Sequence, residues 1–165
     1  MNPIDAILME MSQEAATTRR LLEIVPAQHL GWKPHEKSMT MGRLAIHLAE
    51  IPGWVSTILD KDGFDVGTST YTPPAAGSVT EVLEMFDRNM AMAEAAIRRQ
   101  TLDRLSTMWR ITKQGQVLME MPRMGVIRTL LLNHLIHHRG QLSVYLRLKD
   151  VPLPSIYGPT ADTPM

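Results

Sequence analysis

The stretch Asn133-His134-Leu135-Ile136-His137-His138-Arg139-Gly140-Gln141 decides how this chain folds. On a helical wheel at about 100° per residue, His138 falls about 40° from His134. Ile127, Leu130, Leu131, Gln141, Leu142 and Tyr145 share that side. Two imidazoles one turn apart therefore project from the apolar face that a helical bundle turns inward. Residues four apart have Cβ atoms ~5–6 Å from one another, close enough to chelate one ion. His137 falls about 60° to the other side of His134. Spacing alone would let it replace His138, but His138 sits nearer the centre of the apolar stripe, which leaves His137 on the flank.

Working outward, this helix is expected to start at Pro122 and run to about Leu148. Before it, residues 107–121 alternate as strands do, and Lys113-Gln114-Gly115-Gln116 suits the turn of a short hairpin. Three further helical patterns precede the hairpin. The first opens at Asn2-Pro3, a capping residue followed by a proline at the first helical position, and ends near Ile24, before Pro26. The second runs from about Thr40 to Leu59, with a kink expected at Pro52-Gly53. The third begins at the capping box Ser78-Val79-Thr80-Glu81 and ends near Gln100. Residues 25–38 and 60–77 read as loops, the first anchored to the core by Trp32. The proline-rich tail from 151 to 165 cannot be helical. These patterns predict an all-α fold, a four-helix bundle with a short β-hairpin before the last helix, in a single domain spanning 1–165.

The second helix carries the stripe Leu44, His47, Ile51, Trp54 and Ile58, with a histidine at its centre. Packing it against the last helix would bring His47, His134 and His138 into one inward pocket. An isolated histidine on an apolar stripe is more often a core residue with a hydrogen bond than a ligand. Three together differ, because burying each polar ring without a partner costs ~1–3 kcal/mol. A shared cation is the simplest common partner. Neutral imidazoles suit one divalent transition metal such as Zn, Ni or Fe rather than Mg or Ca. Three protein ligands leave a coordination position open, as catalytic sites do. Glu50, three residues after His47, is a candidate to orient a ligand or act as a base; a solvated helix glutamate is the plainer alternative. His29 and His35 lie in the first loop and read as solvated.

Composition narrows the classes of function. The 165 residues include 17 Lys+Arg and 17 Asp+Glu. That balance lacks the basic footprint of a nucleic-acid binder. No cysteine is present, which excludes thiolate zinc sites, disulfides and a cysteine nucleophile. Any thiol chemistry must use a thiol supplied as substrate. No run approaches 18 apolar residues, so no membrane span is expected, and a cytoplasmic location is the default. The 13 methionines read as core and helix-face filler.

The stretch from His134 to Leu146, with Arg147 and then Pro154-Ser155-Ile156-Tyr157-Gly158-Pro159, resembles the DinB superfamily of damage-inducible and YfiT-like proteins. So does Met39-Thr40-Met41-Gly42-Arg43-Leu44-Ala45-Ile46-His47-Leu48. The resemblance extends over essentially the whole chain. It implies a bundle in up-down-down-up order, often a homodimer, with a metal held by the histidines that correspond to His47, His134 and His138. It also implies limits, since most members have no assigned reaction. Those that do include thiol transferases using bacillithiol or mycothiol and a thiol-dependent maleylpyruvate isomerase. Lys149-Asp150 departs from the glycine that ends this helix in many members. Independently, Leu132 and Ile136 lie opposite His134, and a helix apolar on two sides is either central or partnered. Arg139, Gly140 and Arg147 border that second side, where Gly140 would permit close helix approach.

Three functions follow as expectations. The first is a metal-dependent enzyme, a thiol S-transferase acting on a small-molecule substrate, with metal-activated water for hydrolysis as a variant. The second is a non-enzymatic metal- or ligand-binding stress protein. The third is a purely structural bundle whose histidines are bonded in the core.

Overall fold

The computed structural model describes residues 2–75 and 77–164. Residues 1, 76 and 165, at the two ends of the expected domain and within the expected second loop, lie outside the described residues. Helix α1 spans Pro3–Glu23, and its Asn2 side chain accepts from the Ile4 amide at 3.0 Å, as a capping residue should. Helix α2 spans Met41–Glu50, with Thr40 as its cap. The kink expected at Pro52-Gly53 is a 3-10 turn over Ile51–Gly53, after which α3 covers Trp54–Asp60. Helix α4 spans Val79–Arg98, and Ser78 caps the Glu81 amide at 3.2 Å.

The molecule is mostly helical, yet it is not all-α. A three-stranded sheet joins β1, Gly63–Asp65, to β2, Met108–Lys113, and β3, Gln116–Pro122. The hairpin β2–β3 is antiparallel, with Lys113 opposite Gln116. Its two turn residues, Gln114 and Gly115, both have positive φ, 51° and 83°, the signature of a turn that matches strand twist. β1 pairs parallel with β2, and this strand replaces part of the expected second loop. Three residues are too few to show an alternation. Gly63 permits the pairing, because a Cβ there would stand 2.7 Å from the Arg110 carbonyl oxygen. A short helix not foreseen from the sequence, α5, covers Leu102–Ser106 and buries Leu105.

The last helical stretch is interrupted. Helix α6, Arg123–Ile127, passes into a π-helical segment, Arg128–Asn133, and then into α7, His134–Arg147. A π turn carries more residues per turn than an α-helix, so residues before it are rotated away from the wheel drawn on α7. The buried face of α7, marked by Leu135, Arg139, Leu142 and Leu146, lies to one side of His134 rather than centred on it; Leu132, expected opposite the histidines, is fully buried, whereas Leu130, expected among them, is only half-buried.

Contacts run around a ring: α1 packs on α4 and α7, and α2 packs on the same two helices. Leu21, Leu22, Leu44, Leu48, Ile51, Ile97 and Leu135 fill the centre, each 0% exposed. Helix α7 has a neighbour on each side, and of the two residues expected on its second apolar side Leu132 is buried within the chain while Ile136 is only half-buried. Arg139 is 1% exposed and pairs with Glu14 of α1 at 2.5 Å. Gly140 faces open space, since a Cβ there meets nothing within 4 Å, so it is not a close-approach glycine within the chain. At the end of α7, Asp150 takes the left-handed conformation, φ 56°, that glycine commonly supplies after a helix. Among the described residues no helix is long and apolar enough to cross a membrane.

Candidate metal centre

The three histidines singled out from the sequence come together. His47 lies in the middle of α2; His134 and His138 occupy the first two turns of α7. One ligand nitrogen from each ring lies within 4.8 Å of those of the other two. His47 Nε2 is 3.4 Å from His134 Nε2, which is 2.8 Å from His138 Nε2. These separations bracket the ~2.9–3.3 Å expected between nitrogens sharing one ion at ~2.0–2.1 Å. His137 is exposed and stands outside the cluster, its ring centroid 4.8 Å from that of His138. His35 is exposed, and its Nδ1 accepts from the Lys37 amide at 3.2 Å; His29 closes a 3-10 turn, half-buried.

Two of the three remaining ring nitrogens are tied down. His47 Nδ1 faces Glu50 Oε2 at 3.4 Å, and His138 Nδ1 faces Gln141 Oε1 at 2.7 Å. A carboxylate can only accept, so His47 Nδ1 carries the proton and donates it. His138 Nδ1 donates to the amide oxygen in the same way. Both rings then turn the lone pair of Nε2 towards His134. With the His134 proton on Nδ1, three Nε2 lone pairs converge, an arrangement that a shared cation holds together. The donor set therefore fits a transition metal.

Electrostatics favour the neutral forms of His134 and His138. Burial pushes the pKa of His134 down to about 4, aided by the neighbouring imidazoles of His138, His47 and His137. Burial also lowers that of His138, partly opposed by its bond to Gln141. Glu50 is 8% exposed. Burial alone would raise its pKa, but bonds from His47, Tyr71 and Arg43 outweigh that and hold it below the ordinary glutamate value. Arg43 donates to Oε2 at 2.9 Å, and the Tyr71 hydroxyl donates to Oε1. Burial and the Glu50 carboxylate push Tyr71 up to about 12, so it stays a phenol. Both oxygens of Glu50 are thus engaged. Trp54 closes one side, its ring centroid 5.6 Å from that of His47 and 5.3 Å from that of His134.

Sequence reasoning missed Arg43 and Tyr71 and noted Gln141 only for its side of the helix. Arg43 and Glu50 are two helical turns apart, a spacing that could have revealed the pair. Gln141, three residues after His138, carried a similar signal. Tyr71 comes from an irregular segment and carried none.

Comparison with known proteins then fixes the family. The family model described as the DinB family matches residues 1–164. The chain belongs to the DinB family. It is 26% identical to the uncharacterized protein YrdA of Bacillus subtilis (strain 168) over 159 residues, 96% of this chain and 90% of that protein. The solved structure of a DinB-like protein from Bacillus cereus ATCC 10987 superposes with a TM-score of 0.70 at 21% identity, covering 93% of this chain and 97% of that one. A mycothiol-dependent maleylpyruvate isomerase superposes with a TM-score of 0.55 at 16% identity, covering 86% of this DinB-family chain and 58% of the isomerase. At these identities the structural likenesses establish the fold.

Proposed function

We propose that this DinB-family protein is a metal-dependent enzyme whose three-histidine centre activates a low-molecular-weight thiol for transfer to an electrophilic small molecule. The observation that carries this is the convergence of His47, His134 and His138 with two of their outer nitrogens held by Glu50 and Gln141. When bound there, a transition metal such as zinc, nickel or iron supplies Lewis acidity that lowers the pKa of a thiol at its open position. The chain's own residues keep His134 and His138 neutral, and they orient His47 and His138. Glu50 fixes the tautomer of His47 and is itself held by Arg43 and Tyr71, so it positions a ligand rather than taking the proton. The chain has no cysteine, so the sulfur must be the substrate's. The likeness to a protein named as mycothiol-dependent supports a thiol over water as the activated group. The up-down-down-up helix order, a homodimer and a cytoplasmic location belong to the same proposal.

The test is metal analysis of protein purified without an affinity histidine tag or chelator, followed by thiol consumption with small thiol–electrophile pairs. About one equivalent of a transition metal is expected, lost in His47→Ala. Less than a tenth of an equivalent in the unmodified protein overturns the metal centre. Thiol consumption equal to that of His138→Ala with every pair overturns the transferase activity.

A further inference from the structure

A cavity of about 420 Å³ lies against the three-histidine centre. Trp54 is the shared wall, touching both His47 and His134 and lining the cavity. Tyr71 makes a second link, because its hydroxyl holds Glu50 while the residue lines the cavity. Leu130, one turn before His134, makes a third. The volume is within the ordinary range for a small-molecule pocket.

Two features of the wall restrict what it can hold. No lining side chain is charged, and four are aromatic: Trp54, Phe64, Tyr71 and Trp109. An ionised group placed there would give up its hydration with no opposite charge in the wall to offset the loss. Phe64, Val66 and Tyr71 also leave 38%, 43% and 56% of their surfaces to solvent, an apolar grouping at the cavity that a ligand would cover. Trp109 is 2% exposed, and among the described residues its Nε1 is buried without a hydrogen-bond partner.

We infer that this cavity binds an uncharged, aromatic body of the substrate while the substrate's polar head reaches the three-histidine centre. The placement of the head rests on the metal centre proposed above; the selectivity of the cavity stands on its own wall. Substrates bearing carboxylate or phosphate on the body are disfavoured, whereas a neutral oxygen can be accommodated.

Two measurements on the full-length protein separate these statements. The neutral dye N-phenyl-1-naphthylamine and its anionic relative 1-anilinonaphthalene-8-sulfonate are titrated into the protein. The neutral dye is expected to bind about tenfold or more tightly than the anion, with that preference lost in Thr57→Phe, which fills the cavity from α3. Equal affinities, an unaffected Thr57→Phe protein, or dye binding that weakens as protein concentration rises, as a self-association surface would give, overturns the cavity assignment. Cobalt-loaded protein is then titrated with 2-naphthalenemethanethiol and 2-mercaptoethanol, reading sulfur-to-cobalt absorption. The aromatic thiol is expected to half-saturate at about tenfold lower concentration, an advantage absent from Thr57→Phe. Equal half-saturation overturns the link between cavity and centre. Failure of the protein to take up cobalt overturns the metal centre and the placement of the head, and the dye experiment then decides the cavity alone.

Discussion

Glu50 Oε2 lies 3.4 Å from His47 Nδ1, and this contact determines which nitrogen of His47 faces His134. Replacing Glu50 with Gln keeps the shape, removes the charge and leaves Arg43 facing a neutral amide. A metal dissociation constant about 10–100-fold higher is expected, as for other partners that orient ligand histidines. Competition against a chromophoric chelator measures it, and an affinity within about twofold of the unmodified protein refutes the orienting role.

His137→Ala separates cluster geometry from histidine count. His137 is exposed and outside the cluster, so the variant should keep its full metal content, whereas His134→Ala should lose it. Elemental analysis of the two purified variants decides this. Metal loss in His137→Ala would place that ring among the ligands.

Acid should destabilise the metal-free protein through His134. Its pKa falls from 6.5 to about 4 on folding, so between those values the unfolded chain binds more protons than the folded one. Stability is therefore full above about pH 6.5 and is lost as pH falls towards 4, with roughly 1–2 kcal/mol gone by about pH 5. Glu50, whose pKa is lowered, adds loss in the same direction at lower pH. Urea unfolding at pH 7 and pH 5 in chelator measures the slope, which should flatten in His134→Asn. An equal slope in that variant would assign the acid sensitivity elsewhere.

Arg139 and Glu14 form a buried pair between α7 and α1, and the Tyr157 hydroxyl donates to Glu14 Oε2 at 2.8 Å. Arg139→Met leaves that carboxylate without its cation and should destabilise the protein by about 3–5 kcal/mol. The double variant Arg139→Met, Glu14→Leu should recover much of the loss, because it leaves no unpaired buried charge. Chemical denaturation of both proteins gives the comparison, and a double variant no more stable than the single one would show that the pair contributes more than mutual neutralisation.

Asp150→Gly should stabilise the protein. A left-handed backbone strains a residue with a Cβ by roughly 1–2 kcal/mol, offset in part by the greater freedom glycine has when unfolded. A net gain of about 0.5–1 kcal/mol is expected in thermal or urea unfolding. No gain would mean that the Asp150 side chain supplies a compensating bond in solution.

The sequence by itself determined the four main helical stretches, the hairpin, the capping residues Asn2 and Ser78, and three histidines on inward stripes. Those features are local: periodicity and cap chemistry act within a few residues, so they survive without knowledge of the neighbours. His47, His134 and His138 were legible because a polar residue at the centre of an apolar stripe is conspicuous in one dimension. What only the tertiary structure decided is non-local. The parallel pairing of β1 with β2 joins residues more than 40 positions apart through a strand too short to announce itself. Which neighbours α7 meets is equally non-local: packing against α1 and α2 put Leu132, on an expected second surface, into the core. Arg139, read from the sequence only as bordering the second apolar side of its helix, is buried against Glu14 of α1. Tyr71 reaches Glu50 from an irregular segment that has no period to read. Hydrogen bonds and ion pairs between distant segments depend on packing of the whole chain, and packing is the part of the fold that one-dimensional pattern does not encode.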